Sequence, residues 1–557
     1  MLFNFFSKNP KDCKLTPSVL LVLDGWGIAP PSQGNAIYLA KKPFVDWISQ
    51  NFPSAQLIAS GESVGLPANE EGNSEVGHLA IGVGRVVLQS LKKIDLAIES
   101  GSFFDNPAFM GAVHHVKSNS SKLHIMGLVS SGKVHAALNH LYALLEFCKL
   151  QGLSNTKLHL FTDGRDAPPN EAESIIAQIE SKLAQLKVAQ IATISGRYFA
   201  MDRDARWDRT QKVYDVIVQA KGQTSSTATE AIKNAYASAQ TDEFIVPTVI
   251  QSAGDSKLSN NDAVIFFNFR VDRPRQLTMS FVMPNFENLP KLEVEASLGS
   301  VATHKPQILS GPTFHREVVP QNIYFATMTR YQKAIPVTAV AYETETVHQS
   351  LPEVVSDAGL NQFHLAESEK ERMVTYYMDG MRSKTFPNED VKIVPSAKVP
   401  TYDKKPEMSV YQIVSEYKKA LHRCHYHLFV MNFANPDMVA HSGNIQATIK
   451  AIEHVDSALK NLVGESLKYN ATVFITADHG NAEELLTYPT KSFFFTTHEG
   501  DVNTDHSSNP VPLYIIGNQI KGKKDLGKGT LADVAPTILT HMRLPVPSVM
   551  TGRNLLD

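Results

Sequence analysis

The chain has 557 residues, 43% hydrophobic and 20% charged, the balance of a folded globular protein too long for a single core, so two domains are expected. Its formal net charge is -3 and its arginines gather in the middle third, which argues for a small anionic ligand and against a nucleic-acid footprint. No apolar run reaches the ~18 residues of a membrane span, MLFNFF is too short for a signal core, and Cys13, Cys148 and Cys424 show no CxxC spacing or disulfide framework; a soluble protein of a reducing cytoplasm, with no membrane partner, is expected.

The first strong element is SVLLVLDGWG, Ser18 to Gly27, a continuous apolar run that reads as a central parallel strand ending at Asp24. Ser74 follows in GNSEVGH, where a helix beginning at SEVGHLAIG would place its hydroxyl at a helix N-terminus; read alone, the segment favours the serine as a mere helix cap. Between residues 120 and 270 the runs KLHIMGL, KLHLFTDG, QIATISG and DAVIFFNF alternate with helical patterns such as Ile175, Ile176, Ile179, Leu183 and Leu186, the rhythm of a doubly wound α/β sheet. The same block carries His135 after a glycine turn and the arginine strings DGRD, GRYFAMDRDARWDR and NFRVDRPRQ, in which Arg270 and Arg273 are close enough to aim at one anion. Prolines from Pro284 to Pro320 punctuate a stretch expected to be loop-rich.

A second α/β block begins after residue 400. Asp437 and His441 are four apart, so on a helix they share a face and can grip one ion; the repeat Ile449, Ile452, Val455, Leu459, Leu462 predicts a helix; and TVFITADHG predicts a buried strand delivering Asp478 and His479 at its carboxyl end. Three carboxylates and a serine alkoxide would balance two divalent cations, with neutral imidazoles completing their shells; His498 and His506 compete for the last position. Because these residues fall before about residue 80 and after about residue 430, both chain ends must share one domain, with the middle inserted.

The set LDGWG, NSEVGHL, DGRD, SGRYFAMDRDARWDR, NFRVDRPRQ, ESEK, NFANPDMVAH, TADHGNAE and HSSNPVP resembles the cofactor-independent phosphoglycerate mutases of the alkaline phosphatase superfamily, from about Val19 to Leu555. The resemblance implies an alkaline-phosphatase-like α/β domain from residues 1–88 and 345–557, with a second α/β domain, residues 89–344, inserted to bind substrate. It implies Ser74 as the nucleophile that becomes phosphoserine, one ion on Asp437, His441 and His506, and another on Asp24, Ser74, Asp478 and His479, both most often Mn2+. Substrate contacts carried over are His135, Arg165, Asp166, Arg197, Arg203, Arg270, Arg273 and Lys370. The implied reaction interconverts 3-phosphoglycerate and 2-phosphoglycerate without bisphosphoglycerate; the alternative is a two-metal phosphomonoesterase of the same superfamily. The sequence does not fix the oligomeric state, and a monomer is the expectation. This chain departs from the family pattern at Ser131, Lys133 and Glu371 to Met373, and by a lengthened FFFTTHEGD before His506.

Overall fold

The computed structural model describes residue 10 and residues 13–294, 307–343, 346–487, 500–520, 522 and 524–557. The fold is α/β, and the chain divides into two compact units, Met1–Gln89 with Glu345–Asp557, and Ser90–Thr344.

In the first unit, eight strands among the described residues form one sheet in the order Glu389–Val394, Gln362–Glu367, Leu428–Phe433, Ser18–Leu23, Thr472–Thr476, Val511–Ile516, Ser54–Ile58, Asp525–Thr530. All pairings are parallel except those of Val511–Ile516, which runs against both neighbours. Ser18–Leu23 lies at the centre and is buried along its whole length, which is why its sequence is continuously apolar instead of alternating. Helix Ile445–Lys468 is capped by the Asn444 side chain, which accepts from Ala447 N–H, and its predicted stripe packs Ile452, Val455, Leu459 and Leu462 into the core.

The second unit holds another eight-stranded sheet, ordered Ala339–Tyr342, Tyr324–Thr329, Ala263–Phe266, Leu123–Val129, Thr156–Thr162, Ala189–Gly196, Thr248–Ile250, Gln223–Ser225. Among the described strands of this sheet only the Ala189–Gly196 and Thr248–Ile250 pair is antiparallel. Helix Ala172–Leu186 turns Ile175, Ile176 and Ile179 into this core.

Two expectations are corrected. The proline-punctuated stretch is not only loop: Asn288–Val294 and Gln307–Pro312 pair as an antiparallel hairpin with a register shift between Leu309 and Gly311, while residues 295–306 lie outside the described ones. Cys13 and Cys424 form a disulfide across 411 positions, their Cα atoms 5.6 Å apart, a pairing that sequence spacing does not report. Cys148 is buried and free, and burial pushes its thiol up to about 12. Among the described residues no helix is long and apolar enough to cross a membrane.

Candidate active site

Asp24 is the first residue after the central strand, and its backbone is fixed on both sides: its N–H donates to Phe433 and its carbonyl accepts from Asp437 N–H. Asp437 sits in the short helix Asn435–Ala440, opened by Pro436, at the end of the neighbouring strand. Gly25 between them takes φ +70°, and a Cβ there would come within 2.8 Å of Asp437 Cβ, so a glycine lets the two ligand-bearing turns touch. On the other side Asp478 and His479 leave the strand Thr472–Thr476, with Asp478 Oδ1 accepting from Gly25 N–H at 3.2 Å. Three adjacent strand ends thus deliver three carboxylates, each no more than 2% exposed.

Ser74 is the first residue of helix Ser74–Val83. Asn73 supplies the cap, accepting from the amides of Glu75 and Val76, so the serine hydroxyl is released from the capping role and points at the carboxylates. Its Oγ lies 3.2 Å from Asp24 Oδ1, 3.0 Å from His479 Nε2 and 2.9 Å from Lys370 Nζ. Lys370 is placed here, bridging Asp24 Oδ1 at 2.7 Å and Asp437 Oδ2 at 2.8 Å. Burial disfavours its ammonium, but Asp24, Asp437 and Asp478 hold its pKa above the ordinary lysine value.

The histidines are oriented from behind. His441 Nδ1 faces Thr504 O at 2.8 Å, His506 Nδ1 faces Gly72 O at 2.8 Å, and His479 Nδ1 faces Gly480 O at 3.2 Å. Donation from Nδ1 to a carbonyl leaves the Nε2 lone pair of each ring free, and these point inward: His441 and His506 Nε2 are 3.2 and 3.5 Å from Asp437 Oδ1, and His479 Nε2 is 3.5 Å from Asp24 Oδ1. Burial alone would lower the His479 pKa, but Asp478 and Asp24 raise it to about 10. Burial opposes ionisation of Asp437 as well, yet Lys370 and His441 hold its carboxyl well below the usual range.

This donor set fits divalent cations. The ligating atoms of Asp437, His441 and His506 lie within 4.8 Å of one another, as do those of Asp24, Asp437 and His479. Three buried carboxylates face a single lysine, and Asp478 Oδ2 accepts no hydrogen bond, although His78 Nδ1 is 3.2 Å away. The attraction that would keep a proton on His479 is the same that would hold a metal ion. His498, the rival to His506, and most of the lengthened FFFTTHEGD lie outside the described residues.

Four residues that the sequence reading did not single out hold this arrangement. His78 Nδ1 is 2.8 Å from Ser74 O, and its Nε2 accepts from Asn432 Nδ2, which also donates to Asp24 Oδ2 at 2.7 Å; His78 therefore orients the site as a donor. Asn481 donates to Asp437 Oδ1 at 2.9 Å. Buried Glu483 accepts from Gly27 N–H at 3.0 Å, Asn481 N–H at 2.9 Å, Asn509 Nδ2 at 3.1 Å and the Ser507 hydroxyl, tying together the loops that carry Asp24, His479 and His506. All four lie inside or beside the quoted motifs, but nothing in their spacing names their partners.

In the second unit the sheet's strand ends carry the anion-binding candidates. Arg197, 2% exposed, donates to Asp163 Oδ1 at 2.7 Å and to Asp166. Asp163 in turn accepts from the amides of Arg165 and Asp166 and from Ser130, which shapes the DGRD turn. His135 lies 3.5 Å from Asp166 and 3.7 Å from Asp272; burial first, then Arg197 and Arg270, lower its pKa to about 3, so the ring is neutral. Arg203 and Arg270 both engage Asp272, and Arg273 donates to Met201 O. Burial, with Arg197 and Arg203 nearby, lowers the Arg273 pKa to about 10, the mark of positive charges crowded where an anion would relieve them. Arg165 is half exposed, 3.9 Å from Glu243. Ser131, one of the departures, donates from its amide and hydroxyl to Glu171, at 2.8 and 2.7 Å.

Residues 94–333 match the family model described as BPG-independent PGAM N-terminus. The 2,3-bisphosphoglycerate-independent phosphoglycerate mutase of Clostridium beijerinckii is 44% identical over 542 residues, covering 97% of this chain and 99% of that protein. The protein of the same name from Chloroflexus aggregans is 44% identical over 546 residues, covering 97% and 98%. The crystal structure of Leishmania mexicana phosphoglycerate mutase at low cobalt concentration is similar with a TM-score of 0.66 at 30% identity, covering 98% of each chain. With relatives this similar across almost its whole length, the chain belongs to the 2,3-bisphosphoglycerate-independent phosphoglycerate mutase family.

Proposed function

We propose that the chain interconverts 3-phosphoglycerate and 2-phosphoglycerate through a phosphoserine at Ser74, without bisphosphoglycerate. The observation that carries this reading is the Ser74 hydroxyl itself, held at a helix N-terminus between Asp24, His479 and Lys370. Asp437, His441 and His506 would hold one divalent ion and Asp24, Ser74, Asp478 and His479 a second, with the mixed carboxylate and imidazole donors suiting manganese. Bound there, the ions supply Lewis-acid stabilisation of the serine oxygen and the phosphoryl oxygens.

The protein's own groups do the rest. Lys370 donates to Ser74 Oγ and favours its ionised form, while the positive end of helix Ser74–Val83 favours negative charge at the same place. As the Ser74 oxygen bonds to phosphorus, the substrate's ester oxygen leaves and takes up a proton; the other glycerate hydroxyl then loses a proton as it attacks phosphoserine and releases Ser74. Arg197, Arg203, Arg270 and Arg273 supply forked donors matched to carboxylate and phosphate oxygens, and neutral His135 beside Asp166 can exchange a proton with a glycerate hydroxyl.

The test is product analysis with 3-phosphoglycerate and Mn2+ in the absence of bisphosphoglycerate. The expected product is 2-phosphoglycerate. Free phosphate and glycerate as the main products would overturn the mutase reading in favour of a two-metal phosphomonoesterase.

A further inference from the structure

In the first unit, a second group of titratable side chains is sealed in the sheet at the opposite end of a strand from Lys370. His364 is central in the strand Gln362–Glu367, and Glu389 opens its parallel neighbour, in register with Gln362. Asp379 follows the π-helical turn Met373–Tyr377, a distortion that sets backbone carbonyls off the regular ladder. The residues are 0, 8 and 1% exposed respectively, and the Glu389 side chain is fully buried. His364 lies about 10 Å along the strand from Glu367, before the chain turns toward Lys370.

The acceptors here outnumber the donors. His364 Nε2 lies 3.2 Å from Gln362 Oε1, and the Gln362 amide nitrogen donates to Pro352 O at 2.8 Å, so its oxygen is the atom facing the ring and can accept from Nε2. The other ring nitrogen, Nδ1, donates to the Val374 carbonyl at 2.6 Å and has Glu389 Oε1 3.5 Å away, so both ring nitrogens face acceptors. Glu389 Oε2 accepts from Phe386 N–H at 2.8 Å, but Glu389 Oε1 and Asp379 Oδ1 are buried without a hydrogen-bond partner. One hydrogen on a neutral ring cannot serve both nitrogens, and the Val374 carbonyl and two carboxylate oxygens without hydrogen-bond donors converge beside it. The ligating atoms of His364, Asp379 and Glu389 lie within 4.8 Å of one another.

We propose that His364, Asp379 and Glu389, with the Val374 carbonyl beside them, form an additional binding site for a divalent first-row transition cation, separate from the centre around Ser74. One imidazole nitrogen with oxygen donors and no sulfur suits Zn2+ or Mn2+ better than Ca2+ or Mg2+, which take all-oxygen shells. An ion that replaces the hydrogen on Nδ1 leaves the ring hydrogen on Nε2, where Gln362 Oε1 accepts it, and two carboxylates match the charge of one such ion. Burial and the adjacent Glu389 push the Asp379 carboxyl up to about 9, the direction expected of an acid crowded by another. The ion would tie two edge-side strands to the π-helical turn.

The full-length protein and Asp379→Asn, each loaded with Mn2+ and separately with Zn2+, are dialysed and their metal content measured by mass spectrometry, with anomalous diffraction of the parent at the metal edge. The parent is expected to hold one ion more per chain than Asp379→Asn, with an anomalous peak among His364 Nδ1, Asp379 and Glu389, and the variant is expected to keep its turnover. Equal metal content in the two proteins and no peak at that position would overturn the proposal, leaving protons to neutralise the cluster. If the variant does not fold, the peak in the parent decides alone. The comparison reads a difference of one ion, so it stands or falls apart from the function assigned to Ser74.

Discussion

Replacing Gly77 with alanine should uncouple the nucleophile from its ligands. Gly77 lies one turn into the helix that Ser74 opens, with its backbone against the Asp478 turn: a Cβ built there meets Asp478 Cβ at 2.8 Å and Asp478 C at 2.9 Å, with the Asp478 carbonyl oxygen closer still. Carbon atoms in ordinary contact sit about 3.5–4.0 Å apart, so helix and turn must separate by ~1 Å. The atoms in the way are backbone and a buried carboxylate stem, which have no free rotamer to escape into. A methyl group forced into a packed interior costs about 1–3 kcal/mol, and a ~1 Å misplacement of a reacting group can cost about a hundredfold in rate. Gly77→Ala is therefore expected to remain folded, to melt a few degrees lower, and to lose about two orders of magnitude in kcat with little change in KM, because the groups that would grip substrate are not those displaced. Steady-state kinetics at saturating Mn2+, with circular-dichroism melts, give both readouts. An unaltered kcat in a protein carrying the stability loss would show that the Ser74 to Asp478 spacing does not govern the chemistry.

Glu483→Gln turns an amide toward donors now met by a carboxylate; about 1–3 kcal/mol per lost hydrogen bond and a 10–100-fold weaker Mn2+ affinity by calorimetry are expected, and unchanged affinity would remove Glu483 from the support of the ligand loops. Arg270→Ala should raise KM about 10–100-fold while leaving Mn2+ affinity intact, and an unaltered KM would exclude Arg270 from substrate binding. The buried pair His124 and His159 links Asp262 to Thr193 across three strands, and burial lowers both pKa values below 6.5. The unfolded chain therefore binds more protons than the native one below pH ~6.5, so stability is greatest above that value and is lost as pH falls through it, by up to about 2.7 kcal/mol per pH unit for two protons. Urea midpoints at pH 7.5 and 5.5 measure this, and a midpoint that does not move would show that the pair is not neutral in the fold.

The ligand positions most legible in the sequence are those where one local rule suffices. Asp24 and Asp478 end continuous apolar runs, and such runs are buried parallel strands whose carboxyl ends collect side chains. Asp437 and His441 were legible through helical spacing, and the structure sets them 3.2 Å apart. Ser74 was ambiguous until Asn73 proved to be the cap, since serine and asparagine compete for that role on nearly equal terms. Lys370 enters only through the family resemblance, as a substrate contact; its place beside Ser74, 296 positions away, follows from how the strand Gln362–Glu367 enters the sheet. The network of His78, Asn432, Asn481 and Glu483 and the Cys13 to Cys424 pair join positions up to 456 residues apart, and no periodicity or spacing rule says which distant donor a buried acceptor meets.

The most direct measurement is peptide mass spectrometry of the protein acid-quenched during turnover of 3-phosphoglycerate. A phosphate on Ser74, absent from Ser74→Ala and from protein stripped of metal by chelator, is the predicted result. Turnover that proceeds with Ser74 unmodified, or with the phosphate on another residue, would contradict the account.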